Sequence, residues 1–476
     1  MSIQFGTDGW RDIIADGFTR ENLERVATAH ALYLNDIGAS KIVIGFDTRF
    51  QGQWFAECVA RVMANRGIEV LLAPSYVPTP ALSFAVRHFE ADGGGVMITA
   101  SHNPAPYSGY KIKGPYGGSA SPEMVRAVEA KLNDTVPPHK ATAAQIRPLY
   151  IQNAYFAQIS KLLNLDVLRG FSGTMYCDAM GGAGAGWIQA YIQKMGLAVD
   201  FHPLHDSPNP LFFGVAPEPI AQNLASLIEA LKGLPDLAFG TATDGDADRV
   251  GAATPMGFFN SHKIFALLLA HLYRKGLRGR VVKTVSTSGI IDALCRKWGL
   301  EVVETPVGFK YIIEAFLEGE RDPNKAVLFG GEESGGMAVM GHVPERDGIL
   351  NSLLLLESVA TTQKSLDAQF AELEEIAQFK HYYDRFDLHL SPNFDKDAFL
   401  KQIRTLGRVA GLTVQSVNDK DGIKLVLDQH AFVMVRASGT EPLLRIYAEA
   451  GEPEKPGELI AAIKSWVSSL PEGAHV

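Results

Sequence analysis

The chain is poor in cysteine, and this excludes several classes of protein. Only Cys58, Cys177 and Cys295 occur among 476 residues, with no CxxC spacing between them. Neither a disulfide framework nor a thiolate zinc site is therefore expected, and the composition suits a reducing, cytoplasmic location.

Long apolar runs and basic runs are missing as well. The longest apolar stretch, around residues 353–356, has a helical pattern that indicates a buried core helix and is far too short for a membrane span. The first 20 residues contain acidic side chains and no apolar segment of the kind that a signal peptide needs. With a net charge of −9, neither a nucleic acid nor a membrane surface is expected as a partner.

The composition is that of an ordinary globular protein, with 46% apolar and 20% charged residues. Strand patterns such as 41–46 and 95–99 alternate with helix patterns such as 53–65 and 122–132. This alternation predicts α/β layers. The last hundred residues instead read as strands followed by one closing helix, which predicts an α+β unit.

The chain is too long for a single hydrophobic core, and about three or four domains are expected. Breaks occur at a Val-Pro-Pro segment after residue 135, at a Thr-Pro-Met-Gly turn that begins at Thr254, and near residues 362–365. The predicted division is three α/β domains at 1–145, 146–254 and 255–368, and an α+β domain at 369–476.

The first motif is Thr-Ala-Ser-His-Asn-Pro at residues 99–104. It follows a Gly-rich apolar strand pattern and precedes residues 105–118, which we predict to be a turn-rich loop. Ser101 beside His102 is a candidate covalent phosphate carrier, because a phosphoserine carries about two negative charges and can donate its phosphoryl group. The alternative is an ordinary turn, which Asn-Pro also favours.

The second motif places Asp244, Asp246 and Asp248 at the end of an apolar strand pattern, with Arg249 next. Three carboxylates so close together repel one another unless a cation neutralises them, and their hard oxygens suit Mg²⁺. A calcium loop would need Gly and Glu where Arg249 and Pro255 stand. Arg249 could hold a phosphate oxygen or balance the charge.

The third motif is Gly-Gly-Glu-Glu-Ser-Gly-Gly at residues 330–336. Glycine lets a ligand approach the backbone closely, and Glu332 and Ser334 would offer acceptors to the neighbouring hydroxyls of a sugar. The alternative is a flexible β-turn.

The fourth motif is a Ser-Gly-Thr turn, Ser438 to Thr440, flanked by Arg436 and Arg445. Backbone amides, hydroxyls and guanidinium groups together can form a cradle for an anion. The alternative is a hairpin with surface arginines.

A glycine-rich segment at 181–186 follows one strand pattern and precedes a helix pattern. It does not match the dinucleotide-binding pattern G-x-G-x-x-G, because Trp187 and Gln189 stand where the last glycine is required. We interpret it as close packing of a helix on a strand.

Taken together and in this order, the motifs resemble those of the α-D-phosphohexomutase family. The resemblance begins at Phe-Gly-Thr-Asp-Gly-Trp-Arg, residues 5–11, and covers essentially the whole chain. It implies four domains around a central cleft, three of them similar mixed α/β domains and the last of another fold.

The resemblance also implies a role for each matching residue. Ser101 would be the phosphoserine, and a phosphoserine oxygen with Asp244, Asp246 and Asp248 would bind Mg²⁺. Arg11, His102 and Lys111 would support proton transfer and charge balance, and Arg249 would stabilise the transferring phosphoryl group together with Mg²⁺. The sugar would contact Gly308, Lys310, Glu332 and Ser334, and its distal phosphate would contact Arg436, Ser438, Gly439, Thr440 and Arg445.

The activity implied is interconversion of glucose 1-phosphate and glucose 6-phosphate through a glucose 1,6-bisphosphate intermediate. Bifunctional phosphomannomutases tend to have Met at the Glu333 position and His at the Gly336 position, and glucosamine mutases tend to have Gln at the former. The Glu-Glu-Ser sequence at residues 332–334 therefore favours glucose as the sugar of the substrate. Phosphomannomutase, phosphoglucosamine mutase and glucose 1,6-bisphosphate synthase stay open as alternatives, and a monomer or weak homodimer is expected.

Two further hypotheses come from other functional classes. A metal-dependent phosphatase with a phosphoserine intermediate would release inorganic phosphate, but the chain lacks a His-rich set of ligands for two metals. A non-catalytic sugar-phosphate sensor would be expected to have lost Ser101 or one of the three aspartates, and all are present.

Overall fold

The computed structural model describes residues 3–6, 9–134, 144–391, 394–428, 430–437 and 443–469. Four β-sheets are arranged along the chain, one for each successive unit. The first three sheets mix parallel and antiparallel strands, and the fourth is antiparallel throughout. The predicted fold class, three mixed α/β units followed by an α+β unit, is confirmed.

The first unit is a six-stranded sheet with the order β1-β5-β4-β2-β3-β6. Its strands β2, β3, β4 and β6 are parallel, and β5 and β1 add antiparallel pairs at one side. The elements are β1 (Gly9–Ile13), α1 (Arg20–Asp36), β2 (Lys41–Phe46), α2 (Gly52–Asn65), β3 (Glu69–Leu72), α3 (Thr79–His88), β4 (Gly95–Ile98), β5 (Tyr107–Lys113), α4 (Pro122–Ala130) and β6 (Ile146–Pro148).

The prediction of a turn-rich loop over residues 105–118 is wrong, because β5 occupies its centre. The strand was hidden by its composition, since Lys111 and Lys113 are charged yet almost fully buried. Their ammonium groups reach carboxylates of other units, Lys111 at Asp246 and Lys113 at Glu345. No short-range pattern reveals such partners.

The second unit has a five-stranded sheet with the order β11-β10-β9-β7-β8. Its elements are α5 (Gln152–Ser160), α6 (Leu165–Arg169), β7 (Thr174–Asp178), α7 (Trp187–Met195), β8 (Asp200–Leu204), α8 (Ala225–Leu231), β9 (Phe239–Thr243), β10 (Val250–Thr254) and β11 (Gly257–Phe259), with short 3-10 helices at Phe212–Gly214 and Ala221–Asn223.

The third unit has a four-stranded sheet with the order β13-β12-β14-β15. Asn260 and Asp347 begin two of its helices by accepting from Lys263 N and Leu350 N, as N-cap side chains do. Its elements are α9 (Ser261–Arg274), β12 (Arg280–Thr284), α10 (Ile290–Trp298), β13 (Val302–Thr305), α11 (Phe309–Arg321), a 3-10 helix at Pro323–Lys325, β14 (Val327–Gly331), β15 (Met337–Val339), α12 (Gly348–Thr362) and α13 (Leu366–Ala377).

The apolar stretch predicted to be a core helix lies in α12, where residues 348–360 are all buried. A mostly apolar helix that is buried on every side belongs in the interior of a large protein. It packs within one continuous core that extends through the first three units.

The fourth unit is an antiparallel six-stranded sheet with the order β16-β21-β20-β19-β18-β17, and it has its own core. Its elements are β16 (Tyr382–His389), α14 (Lys396–Ile403), β17 (Arg408–Val409), β18 (Leu412–Asn418), β19 (Ile423–Leu427), β20 (Phe432–Ala437), β21 (Leu443–Ala450) and α15 (Lys455–Ser469).

The sheets divide the chain somewhat differently from the breaks read in the sequence. β6 follows residue 145 yet pairs with β3 of the first sheet. The β10–β11 hairpin spans the break placed after Thr254, and α13 continues through residue 368. Pro-rich or polar segments thus occur inside compact units as well as between them.

Candidate active site

The serine loop begins where β4 ends, at the carboxyl end of a parallel strand. Ser101 has a φ of 53°, and its backbone N donates to Thr99 Oγ1 at 2.8 Å. A left-handed conformation is costly for a residue with a side chain, so the surroundings must hold it. The Ser101 hydroxyl is almost fully buried and donates to Asp244 Oδ2 at 2.9 Å.

Arg49 supplies that support from the end of β2. Its guanidinium is buried and donates to the carbonyls of Ser101 and Asn103, each at 2.7 Å. Asp47 pairs with Arg49 at 3.0 Å and accepts from the Thr99 hydroxyl at 2.6 Å. Neither residue of this pair is among the predicted site residues, although an Asp-Thr-Arg segment directly after a buried strand pattern was the available signal.

Asp244, Asp246 and Asp248 are fully buried in the loop between β9 and β10. One carboxylate oxygen from each lies within 4.8 Å of the others, and no second group of this kind occurs in the ranges that the structure describes. The Oδ1 atoms of Asp246 and Asp248 are buried and accept no hydrogen bond from the described residues. Buried oxygens without donors are costly, and a hard divalent cation fits them.

Cations from two other units surround this acidic triad. Lys111 Nζ, on β5, lies 3.1 Å from Asp246 and 2.9 Å from Asp248, and Arg346 lies 2.7 Å from Asp248. Burial, reinforced by the two neighbouring carboxylates, raises the pKa of Asp244 well above its usual value. Burial acts in the same direction on Asp246 and Asp248, but Lys111 and Arg346 outweigh it and lower the pKa of both.

The glycine-rich segment at 181–186 packs directly on the triad loop. A Cβ added at Gly182 would lie 2.7 Å from Gly245 O, and one at Gly184 would lie 2.6 Å from Thr243 Oγ1. Ala183 N also donates to Gly245 O at 2.9 Å. The segment therefore lets the chain before α7 approach the triad loop closely.

The loop between β14 and β15 carries Glu332 and Ser334 and is docked on β10 of the second unit. Val250 N donates to Gly335 O at 3.0 Å. Gly335 has a φ of 88°, and a Cβ added there would lie 2.3 Å from Val250 O. Glycine is needed at this position for both reasons.

Glu332 is buried beside the cleft, and its carboxylate accepts from Gly308 N at 3.1 Å. Burial raises the pKa of Glu332 to about 7, with Glu333 adding to the shift and Arg346 opposing it. Ser334 Oγ is buried and has no hydrogen-bond partner among the described residues. Both side chains face the same cavity.

That cavity has a volume of about 630 Å³ and is lined by all four units. Predicted site residues in its wall are Arg11, His102, Arg249, Gly308, Lys310, Glu332, Ser334 and Arg445. Ser101, Lys111 and the acidic triad are buried and joined to one another by the contacts given above. The triad contacts two residues of the cavity wall, Arg249 through Asp244 and Arg346 through Asp248. Wall residues absent from our sequence-based set include Glu218, Arg346 and Arg385.

His102 stands at the triad end of the cavity. Its Nδ1 is buried and has no hydrogen-bond partner among the described residues. Burial, with the charges of Arg249 and Arg11, lowers the pKa of His102 well below its usual value, so the ring is neutral at pH 7. Arg11 donates to Asn103 Oδ1 at 2.9 Å, and Arg249 Nε lies 3.8 Å from Asp244.

The fourth unit contributes arginines to the site. Arg436 and Arg445 are opposite each other in the β20–β21 pairing, and Arg445 reaches the cavity. Arg436 pairs with Asp421 at 2.9 Å, and Asp421 accepts from Val307 N at 3.0 Å. Arg436 is thereby tied to the segment that carries Gly308 and Lys310. The predicted residues Ser438, Gly439 and Thr440 lie outside the described residues.

Four family models match successive parts of the chain. They are those of phosphoglucomutase/phosphomannomutase α/β/α domains I, II and III and the C-terminal domain, over residues 2–137, 153–257, 260–376 and 392–464. The chain belongs to the phosphoglucomutase/phosphomannomutase family. The predicted membership of the phosphohexomutases, and with it an isomerase activity, is confirmed.

Relatives of this phosphohexomutase span nearly its whole length but differ in assigned substrate. It is 31% identical to a phosphoglucomutase/phosphomannomutase of Thermococcus kodakarensis, with 97% of each chain covered. It is 30% identical to a probable phosphoglucosamine mutase of Methanothermobacter thermautotrophicus, with 95% and 94% covered. A solved structure of a candidate phosphomannomutase from Thermus thermophilus matches with a TM-score of 0.88 at 42% identity, covering 98% of this chain and 100% of that one.

Within the described ranges, none of the helices has the length and apolar character needed to cross a membrane.

Proposed function

We propose that this phosphohexomutase interconverts glucose 1-phosphate and glucose 6-phosphate, with Ser101 as the phosphate carrier. One observation carries the proposal, namely the 2.9 Å hydrogen bond from Ser101 Oγ to Asp244 within the acidic triad. A phosphoryl group on that oxygen would lie beside the triad and next to His102, which lines a cavity together with Glu332, Ser334 and Arg445.

Asp244, Asp246 and Asp248 would bind Mg²⁺ together with an oxygen of the phosphoserine. The buried Oδ1 atoms without donors support this assignment. Such an ion would neutralise negative charge on the transferring phosphoryl group and orient it.

The residues of the cleft would position the sugar for in-line transfer. Glu332 and Ser334 would accept from ring hydroxyls, and Gly308 and Lys310 would close the adjoining edge. Arg445, Arg436 and the Ser438 to Thr440 turn would bind the phosphate already on the hexose. The free hydroxyl at the other end of the sugar would then face Ser101.

Transfer would break the bond between phosphorus and Ser101 Oγ as the sugar oxygen bonds to phosphorus. The sugar hydroxyl would give its proton to His102, the neutral base in this wall, and the departing Ser101 Oγ would take up that proton to become a hydroxyl again, while Arg249 and Arg11 balance the charge. The product, glucose 1,6-bisphosphate, would turn in the cleft. Its other phosphoryl group would return to Ser101 Oγ, and the proton of the Ser101 hydroxyl would pass through His102 to the sugar oxygen that is released.

Mannose and glucosamine phosphates are the second candidate substrates, because the relatives' names include both activities. A role as a glucose 1,6-bisphosphate synthase is a third possibility. The Glu332-Glu333-Ser334 sequence, with Gly336 in place of histidine, favours glucose.

A substrate panel tests the proposal. Protein with a mass-verified phosphoserine is assayed with the 1-phosphates of glucose, mannose, glucosamine and N-acetylglucosamine, with Mg²⁺ and a trace of bisphosphate. Glucose 1-phosphate should give the highest kcat/KM, and Ser101→Ala should abolish turnover. Near-normal turnover in Ser101→Ala, or preference for another sugar, would contradict it.

A further inference from the structure

Gly336 has no side chain because another residue occupies that space. A Cβ added at Gly336 would lie 2.2 Å from Arg346 Cδ and 2.9 Å from Arg346 Cγ. The φ of Gly336 is outside the left-handed range, so its backbone would accept alanine. The glycine therefore makes room for Arg346 and is not required by the turn itself.

Arg346 uses this passage to reach the boundary between the acidic triad and the sugar loop. Its Nη2 lies 2.7 Å from Asp248 Oδ2, and its Nη1 lies 3.7 Å from Glu332 Oε2. The guanidinium lies over the Phe309 ring at 5.1 Å from the ring centre. The residue is mostly buried and lines the cavity.

Glu332 and Arg346 offer complementary halves of a hydroxyl site. A hydroxyl both donates and accepts, whereas an ionised carboxylate only accepts and a guanidinium only donates. The 3.7 Å between Nη1 and Oε2 is too long for a direct hydrogen bond. Since both groups face the cavity, one sugar hydroxyl can donate to the first and accept from the second.

We propose that Arg346 binds a ring hydroxyl of the hexose jointly with Glu332, and that Gly336 is glycine so that Arg346 can reach it. This inference rests on the proposed function, since it concerns the sugar of the same cleft. It also explains the departure at position 336, because a side chain there and the path of Arg346 exclude each other.

The test measures binding by calorimetry in a Ser101→Ala background, so that no turnover intervenes. The ligands are glucose 1-phosphate and its 2-, 3- and 4-deoxy analogues, with and without Arg346→Met. Removing the guanidinium should weaken glucose 1-phosphate by about 10- to 100-fold, the range for a hydrogen bond to a charged group. Each deoxy analogue shows how much affinity is lost when one hydroxyl is removed. For one of the three analogues this loss should vanish in Arg346→Met, because the hydroxyl no longer has its donor. If all three losses were unchanged, the inference would be overturned.

A role limited to neutralising Asp248 makes a different prediction. Arg346→Lys retains the charge but lacks the planar fork. We expect Arg346→Lys to keep the Mg²⁺ affinity of the parent. Like Arg346→Met, it should bind glucose 1-phosphate and the relevant deoxy analogue equally well. If lysine restored both the Mg²⁺ affinity and the preference for glucose 1-phosphate over the deoxy analogue, the role of the guanidinium would be contradicted.

The pairing with Gly336 is tested by a double-mutant cycle. Gly336→Ala should weaken glucose 1-phosphate about as much as Arg346→Met, and the double variant should be no weaker than Arg346→Met alone. Gly407→Ala is the control, because an added Cβ there meets nothing within 4 Å. The pairing would be overturned if the affinity losses of the two single variants multiplied in the double variant. Normal binding by Gly336→Ala would overturn it as well. Turnover of glucose 1-phosphate by the unaltered enzyme is measured separately, so failure of the proposed function can be recognised independently.

Discussion

The Glu332 carboxyl group is buried beside Glu333 and Arg346, and burial raises its pKa to about 7. A raised pKa keeps the proton on until the pH exceeds that value, so the carboxylate acceptor is present only above about pH 7. We predict that kcat/KM for the free enzyme falls as the pH drops through 7. A pH–rate profile measures this.

Glu332→Gln is the decisive comparison for that profile. It should have a lower kcat/KM but lack the acid limb near pH 7, leaving only ionisation of the substrate phosphate at about pH 6. Glu333→Gln should keep the limb but move it to lower pH, because the charge of Glu333 helps to raise the pKa of Glu332. An unchanged limb in Glu332→Gln would show that another group titrates there.

Arg49 is the buried support of the serine loop, and we predict a large effect of Arg49→Met. The variant removes the donors of four carbonyls, those of Ser101, Asn103, Pro104 and Tyr107, and leaves the Asp47 carboxylate without its partner. Breaking a buried pair in this way costs about 3 kcal/mol, so the free energy of unfolding should fall by that amount and turnover should fall steeply. Urea denaturation and steady-state assays measure the two effects.

Arg61→Met is the matched control, since its pair with Glu57 is exposed. Surface pairs contribute about 0–1 kcal/mol, so this variant should remain near the parent in both assays. Equal effects of the two substitutions would contradict the role assigned to Arg49.

Residues within short motifs were predictable from the sequence, and residues acting across the chain were not. The spacing of Asp244, Asp246 and Asp248 alone indicates a cation site. Arg346 lies almost a hundred residues further on, and its contact with Asp248 depends on how the second and third units pack. The roles assigned to the individual residues remain predictions.

At the scale of secondary structure, the same connection carries the functional loop in each α/β unit. A parallel strand ends, the loop follows, and the chain returns as an antiparallel neighbour. This holds for β4 to β5, β9 to β10, and β14 to β15. The sequence revealed the apolar strands that precede Ser101 and Asp244. The returning strand β5 was missed, because its buried lysines are paired with carboxylates of other units.

Docking of the sugar loop on β10 leads to a prediction at this scale. Gly335→Ala adds both a left-handed penalty and a clash with Val250 O. We expect an increase in KM for the hexose phosphate and a loss of about 2 kcal/mol or more of unfolding free energy. Kinetics and urea denaturation measure these.

Gly411→Ala controls for the backbone penalty alone. Its φ of 84° is close to the 88° of Gly335, and an added Cβ there meets nothing within 4 Å. It should cost about 1 kcal/mol and leave KM unchanged. If both variants behaved alike, the contact between the loop and β10 would be unimportant.

At the scale of the whole molecule, the first three units share a core and the fourth has its own. A small apolar cluster and a buried polar network join the fourth unit to the third. Glu449 on β21 is central to that network. It lies 2.6 Å from His381 Nδ1, accepts from Gly289 N at 2.8 Å, and accepts from the Ser288 hydroxyl.

We predict that Glu449→Ala loosens this junction. Removing one partner of a buried pair should cost about 3 kcal/mol, and amide exchange should increase first along β21 and the start of α10. Glu372→Ala, which removes an exposed partner of Lys364, should cost less than about 1 kcal/mol. Equal losses would mean that Glu449 does not anchor the fourth unit.

The four-part organisation was predictable from the order of elements, because periodicity and turns are local signals. The positions of the boundaries were less so, since pairing of β6 with β3 and of β11 with β10 depends on the assembled sheets. The ends of the units therefore depend on strand pairings that local patterns do not contain. A monomer or weak homodimer stays a prediction, which sedimentation would measure.

The most direct test follows the phosphoryl group itself. Protein carrying ³²P on Ser101 is mixed with excess unlabelled glucose 1-phosphate and Mg²⁺ and quenched over a single turnover. We predict that the label leaves Ser101, appears in glucose 1,6-bisphosphate and then in glucose 6-phosphate. Label that stays on the protein, or is released as inorganic phosphate, would contradict the account.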